Sequence, residues 1–266
     1  MCGTVTLTTD FGTRDPYVGA LKGALLATAS QLQLVDVSHD IPPQDILAGA
    51  FVLRHAAFEF SPGTVHLAVV DPGVGGARRP LAVDAAGYLW IGPDNGLLSC
   101  ALNFPDARAF EITHPDLRHE QVSATFHGRD LFAPAAARLA AGFPVEDVGP
   151  GVDDALHLAA MRPVVRTADL EGTVIHVDHY GNLITCISSG DLSQFGDLSR
   201  LRVVVGHDAG TVVVRGIVRT YDDIETAAAA ALIGSGDLLE LVVRDGSAAA
   251  RFGLQRGDSI TVACCT

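Results

Sequence analysis

Thr64-Val65-His66-Leu67-Ala68-Val69-Val70 is an apolar, β-branched run, and Asp71-Pro72-Gly73-Val74-Gly75-Gly76-Ala77-Arg78-Arg79 follows it directly. The run predicts a buried strand, and the Pro/Gly stretch predicts a tight turn at its end. A strand of this kind delivers Asp71 to the carboxyl edge of a sheet. Val5 to Thr9 and Leu32 to Val37 predict two more strands, and Tyr17 to Ala29 has helical Ala/Leu spacing. Pro42-Pro43 breaks the chain, and Asp45 is placed to cap a helix running toward Phe58. Leu81–Asp84 and Tyr88–Ile91 flank Ala85-Ala86-Gly87, the signature of a hairpin. A further helix is expected after His127, with Leu131, Phe132, Ala135 and Leu139 on one face. This alternation predicts an α/β, Rossmann-like layered sheet, mainly parallel, over residues 1–165.

From Gly172 the pattern changes. TVIHV, LITCI, LRVVV, TVVVRGIV, LLELVV and SITVA are short β-branched runs punctuated by Gly, Asp and Ser. They predict a smaller all-β, barrel-like domain over residues 166–266. Within it, the alanine run Ala227–Ala231 is expected to begin or fill one helical turn.

The chain has 266 residues, 48% of them hydrophobic, a mean hydropathy of +0.30 and a formal net charge of −13. These values support a sizeable core and argue against disorder. The acidic balance disfavours nucleic acid and anionic membrane surfaces as partners. No run reaches the length of a membrane span, and the N-terminus has no signal-peptide pattern. Five cysteines, Cys2, Cys100, Cys186, Cys264 and Cys265, occur without a CxxC spacing, which points to a reducing cytoplasm rather than a disulfide framework.

Each candidate site has a structural reading beside its chemical one. Asp10, at the end of the first strand, can meet a ribose diol, an ammonium or a metal, or simply cap the next turn. Asp71 with Arg78 or Arg79 can form a charged cleft, or the stretch can be a solvated glycine-rich loop. It lacks the GK[ST] ending of a phosphate loop. His127, in Phe126-His127-Gly128-Arg129-Asp130, can act as acid, base or donor near neutral pH, though a lone histidine is more often structural. Asn182, in Tyr180-Gly181-Asn182, can present its amide to a base edge or serve a hairpin turn. No zinc-like spacing occurs among the histidines.

The motifs gain weight from their order. DFGxxDxYVG (Asp10–Gly19), DVSHDIPPxDI (Asp36–Ile46), VVDPGVG…R (Val69–Arg78), PDNG (Pro93–Gly96), FHGRD (Phe126–Asp130) and YGN (Tyr180–Asn182) occur in one succession. The set closely resembles the adenosine-forming S-adenosyl-L-methionine hydrolases, also called SAM hydroxide adenosyltransferases, which are related to the fluorinase and chlorinase enzymes. The resemblance spans almost the whole chain.

It implies hydrolysis of S-adenosyl-L-methionine to adenosine and L-methionine, by in-line attack of an activated water or hydroxide at C5′, with no cofactor and no metal. It implies Asp71, Arg78 and His127 as the catalytic set, with Arg78 and a protonated His127 stabilising hydroxide and Asp71 orienting the water or taking its proton. Arg79 competes for the arginine role. It further implies Asp10 at the ribose hydroxyls, Asp15 at the methionine ammonium, Asn182 at the adenine edge, Tyr221 stacked on adenine and Ser235 at the methionine carboxylate. Gly236-Asp237 and Cys186 depart from the family pattern. A homotrimer with sites shared between subunits is implied as well. The alternative on this fold is a halide-using adenosyl transferase, which an anionic Asp71 disfavours. A metal-dependent phosphoesterase built on Asp10, Asp40, Asp71 and His127, or a non-catalytic sensor, ranks lower.

Overall fold

The computed structural model describes residues 3–195, 197–207 and 210–264. Cys2 and Cys265 lie outside them. The chain divides into two compact units, Met1–Leu158 and Ala159–Thr266.

The first unit carries a mixed six-stranded sheet. Its strands are β1 (Thr4–Thr9), β2 (Gln33–Ser38), β3 (Val65–Val69), β4 (Pro80–Ala85), β5 (Tyr88–Pro93) and β6 (Arg108–Glu111), in spatial order β2-β1-β3-β5-β4-β6. β1, β2, β3 and β5 pair in parallel, while β4 pairs antiparallel with both β5 and β6. The helices are α1 (Tyr17–Thr28), α2 (Ile46–Ala57), α3 (Ser99–Leu102) and α4 (Ala133–Ala140).

β3 lies inside the sheet and obeys the two-residue period. Val65, Leu67 and Val69 face a core that holds Leu21 and Leu25 of α1 and Leu139 of α4. Ala68 and Val70 face the opposite core with Leu53 of α2, Trp90 and Leu97. Burial on both faces is why the run is almost continuously apolar. The local punctuation is also realised. Asp45 caps α2 by accepting the Ala48 N–H at 3.0 Å. Ala86 and Gly87 close the β4–β5 hairpin, both at positive φ (55° and 80°), as a primed turn requires.

The second unit contains β7 (Val164–Val165), β8 (Asp169–Val177), β9 (Leu183–Ser188), β10 (Leu201–His207), β11 (Gly210–Arg215), β12 (Ile217–Val218), β13 (Ala229–Ile233), β14 (Leu238–Val243) and β15 (Ser259–Cys264). Its path runs β11-β10-β15-β8-β9-β14-β13-β12, with β7 joined to β8. β11 also touches β13, so the two ends of the sheet approach one another and the barrel is nearly closed. The TVVVRGIV run supplies both ends. Gly216, at φ 72°, divides it into β11, paired with β10, and β12, paired with β13.

One expectation fails here. Ala229–Ala231 open a strand, not a helical turn, and pair antiparallel with Leu241–Val243. Five alanines are too few to nucleate a helix alone, and pairing buries Ala230, Ala231 and Leu232.

Candidate active site

The carboxyl ends of β1 and β3 and the loop before α4 converge on a cavity of about 280 Å³. It is lined by Asp10, Phe11, Gln44, Asp71, Thr125, Phe126 and His127, among others. A parallel sheet offers its ligand cleft at this edge. Asp71 follows β3, held from behind by Asn95, whose Nδ2 donates to the Val70 carbonyl at 2.9 Å. The PDNG motif thereby fixes where the aspartate leaves the sheet. Gly75 sits at φ 76°, and a side chain there would collide with the Ala124 carbonyl oxygen, so glycine lets the Asp71 loop pack against the loop carrying His127.

Arg78 ties the three candidate catalytic groups together. Its Nε donates to both Asp71 oxygens at 3.0 Å, and its Nη2 donates to Asp71 Oδ2 at 2.5 Å. The same Nη2 lies 2.7 Å from Nδ1 of His127. The Asp71 and Arg78 side chains are 5% and 9% exposed. Phe132, the last residue of the π-helical turn Gly128–Phe132, lies under the guanidinium, 5.3 Å from it. Arg79 turns the other way, to buried Asp94 at 2.6 Å and to Asp154 at 2.6 Å. The arginine that meets Asp71 and His127 is therefore Arg78.

This geometry revises the protonated state expected for His127. A guanidinium only donates, so Nδ1 must accept, and a neutral ring then carries its proton on Nε2. Burial and the Arg78 charge both push the His127 pKa below the ordinary 6.5. The loop around it is braced by Asp130, 2% exposed, which accepts from Arg129 at 2.6 and 2.8 Å and from the Ser123 N–H at 2.9 Å. Arg129 first of all holds that carboxyl down to about 2.

Asp10 lines the same cavity, and its Oδ2 accepts the Gln44 N–H at 2.8 Å. Gln44 holds φ 66°, a conformation that costs energy in a non-glycine residue and that places its N–H on Asp10. Asp15 is exposed and is not among the residues lining this cavity.

In the second unit, Tyr180, Asn182, Tyr221, Asp222, Arg244 and Gly246 help line a separate cavity of about 720 Å³. Asn182 Nδ2 donates to Asp178 Oδ2 at 2.9 Å and lies 3.5 Å from the Tyr221 hydroxyl. Glu240, 8% exposed, shares a hydrogen bond with Tyr221; burial and the Asp178 charge raise its pKa. Its carboxylate fills the place a side chain at Gly234 would need. Glu240 carries no signal in the sequence, because LLELVV gives no sign of a buried partner across the sheet. Ser235 stands exposed on the β13–β14 turn and is not among the residues lining this cavity. Among the described residues, no group of three or more His, Cys, Asp or Glu is arranged to hold a metal ion.

Residues 5–149 match the SAM hydroxide adenosyltransferase N-terminal domain, and residues 172–261 match the C-terminal domain of the same family. The chain belongs to the SAM hydroxide adenosyltransferase family. It is 38% identical over 263 residues, 97% of each chain, to the (R)-S-adenosyl-L-methionine hydrolase of Salinispora arenicola. It is 40% identical over 257 residues to the (R)-S-adenosyl-L-methionine hydrolase of Thermus thermophilus, covering 93% of this chain and 94% of that one. The fluorinase of Nocardia brasiliensis is more distant, at 29% over 287 residues, 97% of this chain and 96% of that one. Among solved structures, an uncharacterized conserved protein from Thermotoga maritima matches with a TM-score of 0.83 and 31% identity, covering 99% of this family member and 100% of that chain. No helix among the described residues is long and apolar enough to cross a membrane.

Proposed function

We propose that this protein hydrolyses S-adenosyl-L-methionine to adenosine and L-methionine. The observation that carries the reading is the single guanidinium of Arg78 bonded to both Asp71 and His127 at the wall of a cavity shared with Asp10. Water attacks C5′ in line with the C–S bond. The C–S electron pair leaves on sulfur as the methionine thioether, and the water loses one proton. A sulfonium leaves without protonation, so catalysis acts on the nucleophile.

Asp71 is the proton acceptor in this scheme. His127 Nδ1 is occupied by Arg78, which leaves the ring Nε2–H to hold the water oxygen. Arg78 holds both Asp71 oxygens in place. A positioned base of this kind contributes about 10²–10⁴-fold in rate, and in-line placement adds to it. The anionic Asp71 attracts the sulfonium and repels a halide, which separates this reading from halide transfer.

Asp10 takes the ribose hydroxyls. Asn182 takes the adenine edge, with Tyr221 against its face. Asp15 and Ser235 serve the methionine ammonium and carboxylate. The parallel β2-β1-β3-β5 run, helices on both sides and a site at its carboxyl edge support the Rossmann-like description of the first unit. The domain boundary near residue 165, read from the change of pattern to short β-branched runs, and a homotrimer with sites shared between subunits, implied by the family resemblance, belong to the same proposal.

The test is incubation with separated (R) and (S) sulfonium epimers, with adenosine and methionine followed by chromatography. Release of both products, faster from the (R) epimer as the relatives' names suggest, supports the reading. Intact substrate in both incubations removes it.

A further inference from the structure

The turn carrying Asp10 is pinned from behind by groups that do not line the cavity. Thr9 is fully buried, and its hydroxyl lies 2.8 Å from His39 Nδ1. The Phe11 N–H donates to the same hydroxyl oxygen at 3.2 Å, and the Gly12 N–H donates to the His39 carbonyl at 2.8 Å. On the other side of the ring, His39 Nε2 lies 3.0 Å from Asp36 Oδ1. Lys22, the only lysine in the chain, donates to Asp36 Oδ2 at 2.7 Å. The His39 side chain is 4% exposed.

The protons in this chain run one way. A carboxylate only accepts, so His39 Nε2 carries a hydrogen toward Asp36. In the neutral ring that leaves Nδ1 as the acceptor, so the Thr9 hydroxyl donates to it while its oxygen accepts the Phe11 N–H. Lys22 closes the far end by neutralising Asp36. Burying an imidazole and a hydroxyl is costly unless each polar atom is satisfied, and here each is. What the chain holds still is the Thr9–Gly12 turn. Asp10 lies within that turn, and Gln44 fixes its carboxylate from the cavity side.

We propose that Asp36 and His39, acting through Thr9, are positioning residues for Asp10 and set the enzyme's grip on the substrate sugar without touching it. The proposal rests on Asp10 as the ribose carboxylate. Two oxygens must meet two hydroxyls, so the carboxylate has to be held to a fraction of an ångström.

A double-mutant cycle with steady-state kinetics tests it. Alone, His39→Asn raises KM for S-adenosyl-L-methionine about tenfold and leaves kcat within about twofold, because only ground-state and transition-state binding held in common is lost. In an Asp10→Ala background the same change adds less than about twofold, as expected for residues acting through one another. Asp36→Asn behaves in the same way. Lys22→Met, at the solvent end, gives a smaller effect of the same sign and serves if neither the His39 nor the Asp36 variant folds. Independent multiplication of the Asp10 and His39 effects overturns the proposal, as does a fall in kcat at unchanged KM. A sulfonium substrate lacking the 2′-hydroxyl separates the two layers. If Asp10→Ala discriminates it from the normal substrate no differently than wild type does, the ribose role fails, while the coupling between positions 10 and 39 still judges the relay.

Discussion

Arg78 Nη2 donates to His127 Nδ1 across 2.7 Å while the same guanidinium grips Asp71. One cation thus orients the aspartate through two of its nitrogens and, together with burial, disfavours a proton on the imidazole by occupying its lone pair and repelling added charge. The division of labour in the proposed reaction follows from this contact: the carboxylate receives the proton and the ring donates a hydrogen bond.

The pH dependence follows with a definite sign. A proton added to His127 at Nδ1 would displace the Arg78 bond, so activity is lost as pH falls through the His127 pKa. Burial first, then Arg78, place that value below 6.5. The acid limb of kcat/KM assigned to His127 therefore lies below 6.5, with full activity at pH 7–8, and His127→Gln abolishes it. A limb above 6.5 that disappears in the same variant would show that the ring is protonated in the working enzyme.

The two adjacent arginines should fail in different ways. Arg78→Lys leaves a point charge that cannot span Asp71 and His127 together, so kcat falls about 10²-fold or more with modest change in stability. Arg79→Lys disturbs the pairing with buried Asp94, costing about 2 kcal/mol of stability, and leaves kcat close to wild type. Turnover and urea unfolding on both variants decide the matter. A larger kcat loss at Arg79 would reverse the assignment.

Sequence put Arg78 forward through the family resemblance but left Arg79 in competition for the role. Arg78 and Arg79 are neighbours, and the choice between them is made by Asp94, Asp154 and the Leu156 N–H on Asp94, all distant along the chain. The relay from Asp36 to Thr9 was hidden for the same reason, since His39 meets a residue 30 positions away. Features set by local signals were legible. The two-faced β3 strand, the Asp45 cap and the Ala86-Gly87 turn each carry their cause within a few residues. The alanine run misled because its helix preference is local, whereas its partner strand β14 supplied the stronger burial. In the candidate site, the ordered motifs singled out Asp10, Asp71 and His127, which line one cavity, but which His127 nitrogen accepts depended on a contact between residues 49 positions apart.

Asp71 separates chemistry from stability. Asp71→Asn preserves shape but removes the proton acceptor, and kcat falls by about 10²–10⁴-fold. Asp71→Ala also strips a nearly buried Arg78 of its counter-charge, which costs about 3 kcal/mol or more of stability. Denaturant unfolding monitored on the first unit distinguishes the two variants. Equal stability in both would mean that Arg78 finds another partner.

His66 gives the fold its own acid sensitivity. It lies fully buried on β3, with Nδ1 2.8 Å from the Thr6 hydroxyl and its ring against Trp90 at 4.6 Å and Tyr88 at 5.2 Å. Nε2 has no hydrogen-bond partner, so a charged ring would be stranded among aromatic neighbours. Burial depresses its pKa from 6.5 to about 4. In the unfolded chain the ring takes up its proton near 6.5, and in the folded chain only near 4. The contribution is therefore intact above 6.5 and is lost progressively as pH falls from 6.5 to about 4. Converted through linkage, the whole window amounts to about 3 kcal/mol. His66→Phe costs about 1 kcal/mol at pH 7 through the orphaned Thr6 hydroxyl, but it flattens the slope across this window. Carboxylates such as Asp130 contribute acid sensitivity common to both proteins, so the difference between the two curves isolates His66. Urea unfolding of wild type and His66→Phe at pH 7, 6, 5 and 4.5 measures that difference, and parallel curves would mean that the ring takes up its proton at the same pH in the folded and unfolded chain.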